Sequence, residues 1–127
     1  MNSATVLVVD DDPGIQEMVA AVLELEGYRV CTAVGAATLP LAVSEHPSLI
    51  LLDVSMPGMD GVEVSRRLLA DPETATIPIV AMTALREDAV RRGMRAQDWL
   101  RKPFDIDDLV RLVERWSTNR PETTGAS

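Results

Sequence analysis

Two apolar runs that break off into aspartate constrain this chain more than any other feature: Ala4-Thr5-Val6-Leu7-Val8-Val9 leads into Asp10, Asp11 and Asp12, and Leu49-Ile50-Leu51-Leu52 leads into Asp53. Runs this short, rich in β-branched residues and closed by polar turn signals, read as strands buried on both faces of a parallel sheet. In open α/β sheets, ligands bind in the crevice beyond the carboxyl ends of the strands. Two neighbouring strands would therefore gather these carboxylates in one place, where they invite a divalent cation.

Strand-like and helix-like segments alternate along the chain, the pattern of a parallel sheet covered on both faces. After the first strand, Pro13 stands where a first helical turn tolerates proline, and Ile15, Met18, Val19, Val22 and Leu23 recur at helical spacing before Gly27. Residues 29–33 read as a second strand and residues 36–46 as a second helix, which Pro40 interrupts unless it lies in the first turn. The third strand ends at Asp53, and the segment from Ser55 to Gly61 is a loop whose Gly58 and Gly61 serve turn geometry. Val62, Val64, Leu68 and Leu69 mark a third helix, residues 71–76 a surface loop and residues 77–82 a fourth strand. Residues 85–96 carry many charges and few apolar positions, so a helix there is expected to be short or marginal. Trp99-Leu100 supplies a fifth strand. Ile106, Leu109, Val110, Leu112, Val113 and Trp116 are spaced for a final amphipathic helix with Asp105 as its cap.

At 127 residues the chain fits one domain, expected over residues 4–116, with residues 117–127 as a disordered tail or the start of a linker. Its 3% aromatic content leaves Val, Leu, Ile and Ala to fill the core. A formal charge of -8 opposes direct nucleic-acid binding, because no cationic surplus is available to neutralise phosphates. The N-terminus lacks a signal-peptide pattern and no apolar run approaches the roughly 18 residues of a spanning helix, so a cytoplasmic, non-membrane protein is expected. Cys31, the single cysteine, lies in a strand-like segment and reads as a packed small hydrophobe.

Four segments carry a resemblance: Val8-Val9-Asp10-Asp11-Asp12-Pro13, the stretch from Leu51 to Gly61, Met82-Thr83-Ala84, and Trp99-Leu100-Arg101-Lys102-Pro103-Phe104. All four occur in order, each at the end of an expected strand. Together they resemble a response-regulator receiver domain of the two-component, CheY-like superfamily, over residues 4–116. The resemblance implies a flavodoxin-like, doubly wound α/β fold with a five-stranded parallel sheet in the order 2-1-3-4-5. It implies that Asp53 is the phosphoacceptor, taking a phosphoryl group from a sensor histidine kinase, a phosphotransfer protein or a small phosphodonor. Carboxylates are ionised at neutral pH and need no base, but must approach an anionic phosphoryl group. Mg2+ held by Asp11, Asp53 and the backbone carbonyl of Ser55, with Asp10 acting through water, would offset that repulsion. Lys102 and Thr83 would contact phosphoryl oxygens, and Asp12 would stay peripheral and solvated. Thr83 and Trp99 would form the switch that alters a protein-interaction surface, read by a downstream effector protein or a fused output domain. The family usually has a cis bond at the position of Lys102-Pro103.

Two features depart from the family pattern. Trp99 stands where tyrosine or phenylalanine is usual, and the interval from Thr83 to Lys102 is a few positions shorter than is typical, the shortage falling in the fourth helix. On this reading the chain is a phosphoacceptor and not an enzyme, with at most slow self-catalysed phosphorylation and dephosphorylation. An atypical receiver used as a phosphorylation-independent interaction module is the alternative. An aspartyl phosphatase lacks support, because Ser55 stands where a second aspartate would be needed. A flavin-binding module lacks it too, since no phosphate loop rich in Ser, Thr and Gly follows the first strand.

Overall fold

The computed structural model describes residues 4–55 and 60–118. Five parallel strands form one sheet in the order β2-β1-β3-β4-β5: β1 Thr5–Val9, β2 Arg29–Ala33, β3 Leu49–Asp53, β4 Ile79–Thr83 and β5 Asp98–Arg101. Helices α1 Pro13–Leu25, α2 Thr38–Glu45, α3 Gly61–Ala70, α4 Arg86–Arg91 and α5 Ile106–Thr118 connect and cover them. This is the expected flavodoxin-like architecture. Every residue of β1, β3 and β4 is buried, which explains why these strands read as continuous apolar runs and not as alternations.

Side chains alternate across the sheet into two cores. Leu7, Val9, Ile50, Leu52, Ile79 and Ala81 face the side covered by α2, α3 and α4, where Val64, Leu68 and Ala89 meet them. Val6, Val8, Leu49, Leu51, Val80 and Met82 face α1 and α5, through Val19, Leu23, Leu109 and Val113. Each fully buried aliphatic side chain contributes roughly 1.5–3 kcal/mol. Met18, Leu69 and Ile106, expected on the buried faces of their helices, are instead 37%, 37% and 50% exposed. They sit at the margins of their apolar stripes.

Local signals set most boundaries. Asp12 caps α1, accepting from Gly14 N at 2.9 Å, so it is exposed but structural, and Pro13 takes the first helical position. Gly27, at φ +98°, turns the chain out of α1. A short 3-10 turn, Gly35–Ala37, precedes α2, and Pro40 falls in the first turn of that helix, where its missing N–H costs nothing. The fourth helix has six residues, as the sparse apolar pattern predicts.

Three expectations need correction. Residues 71–76 are not wholly surface: Thr74 is buried and its hydroxyl donates to the Leu68 carbonyl at 2.6 Å. β4 is shifted two residues towards Thr83 at its start, because the ladder follows β3 and not the apolar run. The tail does not begin at 117: α5 continues to Thr118, and Ser117 is buried, its hydroxyl donating to the Val113 carbonyl at 2.6 Å. That back-bond satisfies a polar group which, in sequence, signals a loop.

Candidate functional site

Register brings the polar strand ends together. Val9 pairs with Leu52, so Asp10 follows beside Asp53; Asp53 pairs with Met82 and Thr83 with Arg101. Asp10, Asp53, Thr83 and Lys102 therefore lie along one carboxyl-terminal edge of the sheet, where the chain leaves each strand. The carboxylates of Asp10, Asp11 and Asp53 offer oxygen atoms all within 4.8 Å of one another. Asp10 and Asp53 are 0% and 4% exposed, whereas Asp11 faces solvent.

Lys102 joins the two buried acids. Its ammonium nitrogen lies 3.0 Å from Asp10 Oδ2 and 3.3 Å from Asp53 Oδ1. Asp10 Oδ1 accepts from Asp12 N at 2.9 Å, and Asp53 Oδ1 accepts from Ser55 N at 3.3 Å. Burial, followed by the neighbouring charge of Asp10, pushes the Asp53 carboxyl up to about 6, against the opposing pull of Lys102 and Ser55 N. Burial draws the Lys102 ammonium down, but its hydrogen bonds and charge contacts with Asp10 and Asp53 outweigh that and hold it above its ordinary value. A carboxylate pair and one ammonium leave net negative charge in a poorly solvated place. Three hard oxygen donors, one of them open to solvent, fit a magnesium ion by ligand type and by charge.

Thr83 is 8% exposed and its Oγ1 accepts from Leu85 N at 3.0 Å, while its carbonyl accepts from Lys102 N at 3.0 Å. The Lys102–Pro103 peptide is cis. Trp99 is half-buried on β5, opposite Ala81, with the Arg86 guanidinium 5.3 Å from its ring centroid. Thr83, Arg86, Trp99 and Arg101 line a cavity of about 390 Å³ between α4 and the sheet edge. Gly58, with Met56, Pro57 and Met59, lies outside the described residues. Gly61 is required by close approach: a Cβ there would meet the Asp53 carbonyl oxygen and come within 2.6 Å of Val54 Cα.

Sequence reasoning missed three contacts. Asp60 caps α3 through Glu63 N at 3.1 Å and also holds Arg92 at the end of α4. The pattern Asp60-Gly61-Val62-Glu63 carries a capping signal, but nothing in sequence names the arginine. The second missed contact is Asp12 as a cap, for which Pro13 is the signal. The third is Gln16, whose side-chain amide reaches the carbonyls of Asp10 and Ala33. No periodicity reveals it. Among the described residues, no helix is long and apolar enough to cross a membrane.

Comparison with known proteins agrees with this geometry. The chain is 41% identical over 112 residues to the DNA-binding dual master transcriptional regulator RpaA of Synechocystis sp., covering 85% of this chain and 46% of that protein. It is 35% identical over 120 residues to sporulation initiation phosphotransferase F of Bacillus subtilis, covering 91% of this chain and 95% of the relative. Several curated relatives are longer, and the chain spans half or less of their length. A crystal structure of the receiver domain of a sensor histidine kinase from Pseudomonas aeruginosa, with a magnesium ion coordinated in its active-site cleft, superposes with a TM-score of 0.82. That likeness has 30% identity and covers 91% of this chain and 98% of that one. With residues 6–114 matching the family model described as response regulator receiver domain, this chain belongs to the response-regulator receiver family.

Proposed function

We propose that the chain is the phosphoacceptor of a cytoplasmic two-component phosphorelay, with Asp53 receiving the phosphoryl group. The observation that carries this reading is the carboxylate cluster, three acids within 4.8 Å with Lys102 joined to two of them. The donor is a phosphohistidine on a sensor kinase or phosphotransfer protein. An Asp53 carboxylate oxygen attacks phosphorus, the P–N bond breaks, and the imidazole leaves with the electron pair and takes up a proton. Asp11, Asp53 and the Ser55 carbonyl would hold Mg2+, with Asp10 acting through water. The ion supplies charge neutralisation between nucleophile and phosphoryl oxygens. It would also offset the Asp10 charge that, after burial, raises the proton affinity of Asp53.

Lys102 is a compact cation already at Asp53 and is suited to follow the charge onto a phosphoryl oxygen. The Thr83 hydroxyl, now an acceptor from Leu85 N, donates to another phosphoryl oxygen by rotating. Trp99 then repacks beside Thr83, and the altered surface is read by an effector protein or an output domain. Incubation with acetyl phosphate, with and without Mg2+, followed by intact-mass measurement tests this reading. A gain of one phosphoryl group that needs Mg2+ and disappears in Asp53→Asn supports it.

One observation favours a second reading, a phosphorylation-independent binding module: Arg86 lies over the Trp99 ring and restrains the residue that would repack. Absence of an adduct under conditions that load a competent control receiver would select it.

A further inference from the structure

We propose that Gln16 is a positioning residue for the acidic site: its side-chain amide fixes the Asp10–Asp11 peptide, and through it the direction in which Asp11 presents its carboxylate. This rests on reading the site as a metal-assisted phosphoacceptor. β1 and β2 end together, at the register pair Val9 and Ala33. Half-buried Gln16, in the first turn of α1, lies over this end and supplies the donors the ladder lacks. Its Nε2 donates to the Asp10 carbonyl at 2.7 Å and to the Ala33 carbonyl at 3.3 Å. One NH₂ group has two N–H bonds for two carbonyl oxygens, so the orientation of the amide is determined. Turned over, it would set oxygen against oxygen.

The three acids are not held alike. Asp10 and Asp53 each have side-chain anchors, in Lys102 and in a backbone N–H. Asp11 is exposed, and its carboxylate has no hydrogen bond or ion pair among the described residues, so of the three it depends most on its backbone, which fixes the Cα–Cβ bond from which the carboxylate reaches the site. The Asp10 carbonyl and the Asp11 N–H belong to one planar peptide, and a donor on that carbonyl restrains rotation of the plane from which Asp11 projects. Groups that orient metal ligands from behind typically alter affinity 10–100-fold when removed.

The test is calorimetric titration of Mg2+ into the full chain and into Gln16→Met and Gln16→Asn, each also made in an Asp11→Asn background. Methionine keeps the length without a donor; asparagine keeps the amide but stops one methylene short. Both are expected to weaken Mg2+ binding about 10-fold. Neither should weaken it further once Asp11 is asparagine, because the effect travels through that side chain. A merely structural role would lower the urea midpoint while leaving Mg2+ affinity unchanged, or would cost the same with and without Asp11, and either result overturns the proposal. If the phosphoacceptor reading itself is wrong, the parent chain binds no Mg2+ or binds it without forming an Mg2+-dependent adduct, a failure visible before any Gln16 variant is made.

Discussion

The two ends of the carboxyl-terminal sheet edge are built by opposite means. At the β1–β3 end, Asp10 and Asp53 are buried, and Lys102, Asp12 N and Ser55 N hold them. At the β4–β5 end, α4 spans six residues without a side-chain cap, and Leu85 before it and Val90 within it are 66% and 50% exposed. Ala89 is the one α4 side chain buried in the core, and the polar ties of the helix, the Arg92–Asp60 pair and Arg86 against Trp99, both lie near the surface. Breaking one partner of a buried charge cluster costs roughly 3–5 kcal/mol. An exposed ion pair contributes about 0–1 kcal/mol and an exposed cation–π contact roughly 0.5–1 kcal/mol. A perturbation of a few kcal/mol at the acids therefore leaves their geometry in place and is absorbed at the α4 corner, where the ties are weakest.

The contrast can be broken most forcefully at its rigid end. Gly61→Ala forces a Cβ into the backbone of Asp53 and Val54, and we expect a loss of roughly 3 kcal/mol in urea unfolding together with loss of the phosphoryl adduct. Next in size is a pH effect. Asp53 binds its proton more tightly folded, at about 6, than at its ordinary 3.8, so the folded chain holds the extra proton between these values. Stability without metal should then fall as pH rises from about 4 to about 7, by about 2 kcal/mol. Asp53→Asn should lack that part of the slope, and parallel curves for the two proteins would refute the assignment.

At the looser end the effects are smaller. Gly93 has φ +95° with open space around it, so Gly93→Ala pays only for conformation, about 1–2 kcal/mol by urea unfolding, and leaves Mg2+-dependent adduct formation intact. Smallest is Arg86→Ala, which removes the contact over Trp99 and should shift stability by about 0.5 kcal/mol. A loss above about 2 kcal/mol would mean the corner is as tightly held as the acids, and the comparison would fail.

Legibility in the sequence followed the same division. Central strands and their terminal acids were readable because burial on both faces writes an unbroken apolar run and the site residues sit where those runs stop. Proline and glycine marked the ends of α1 and the entry to α2. What escaped were contacts between elements far apart in sequence: Arg92 to Asp60, and Gln16 to the ends of two strands. These are polar residues on exposed or half-exposed helix positions, where periodicity carries no information about which neighbour the fold brings near. The end of α5 was misjudged for a related reason, since Ser117 reads as a loop residue until its bond to the Val113 carbonyl is seen.

Asp98 gives the chain an optical property. Its Oδ1 accepts from the Trp99 backbone N at 2.9 Å and its Oδ2 from the Trp116 indole Nε1 at 3.0 Å, so one carboxylate holds the backbone of one tryptophan and the ring of the other, and the chain has two. Intrinsic indole emission thus originates entirely from the outer edge of β5 and the last turns of α5. Spectral changes that accompany chemistry at the acids are signals relayed to that edge. No dye need be attached to watch the relay: the chain carries its own pair of indoles, one under Arg86 and one bonded to Asp98.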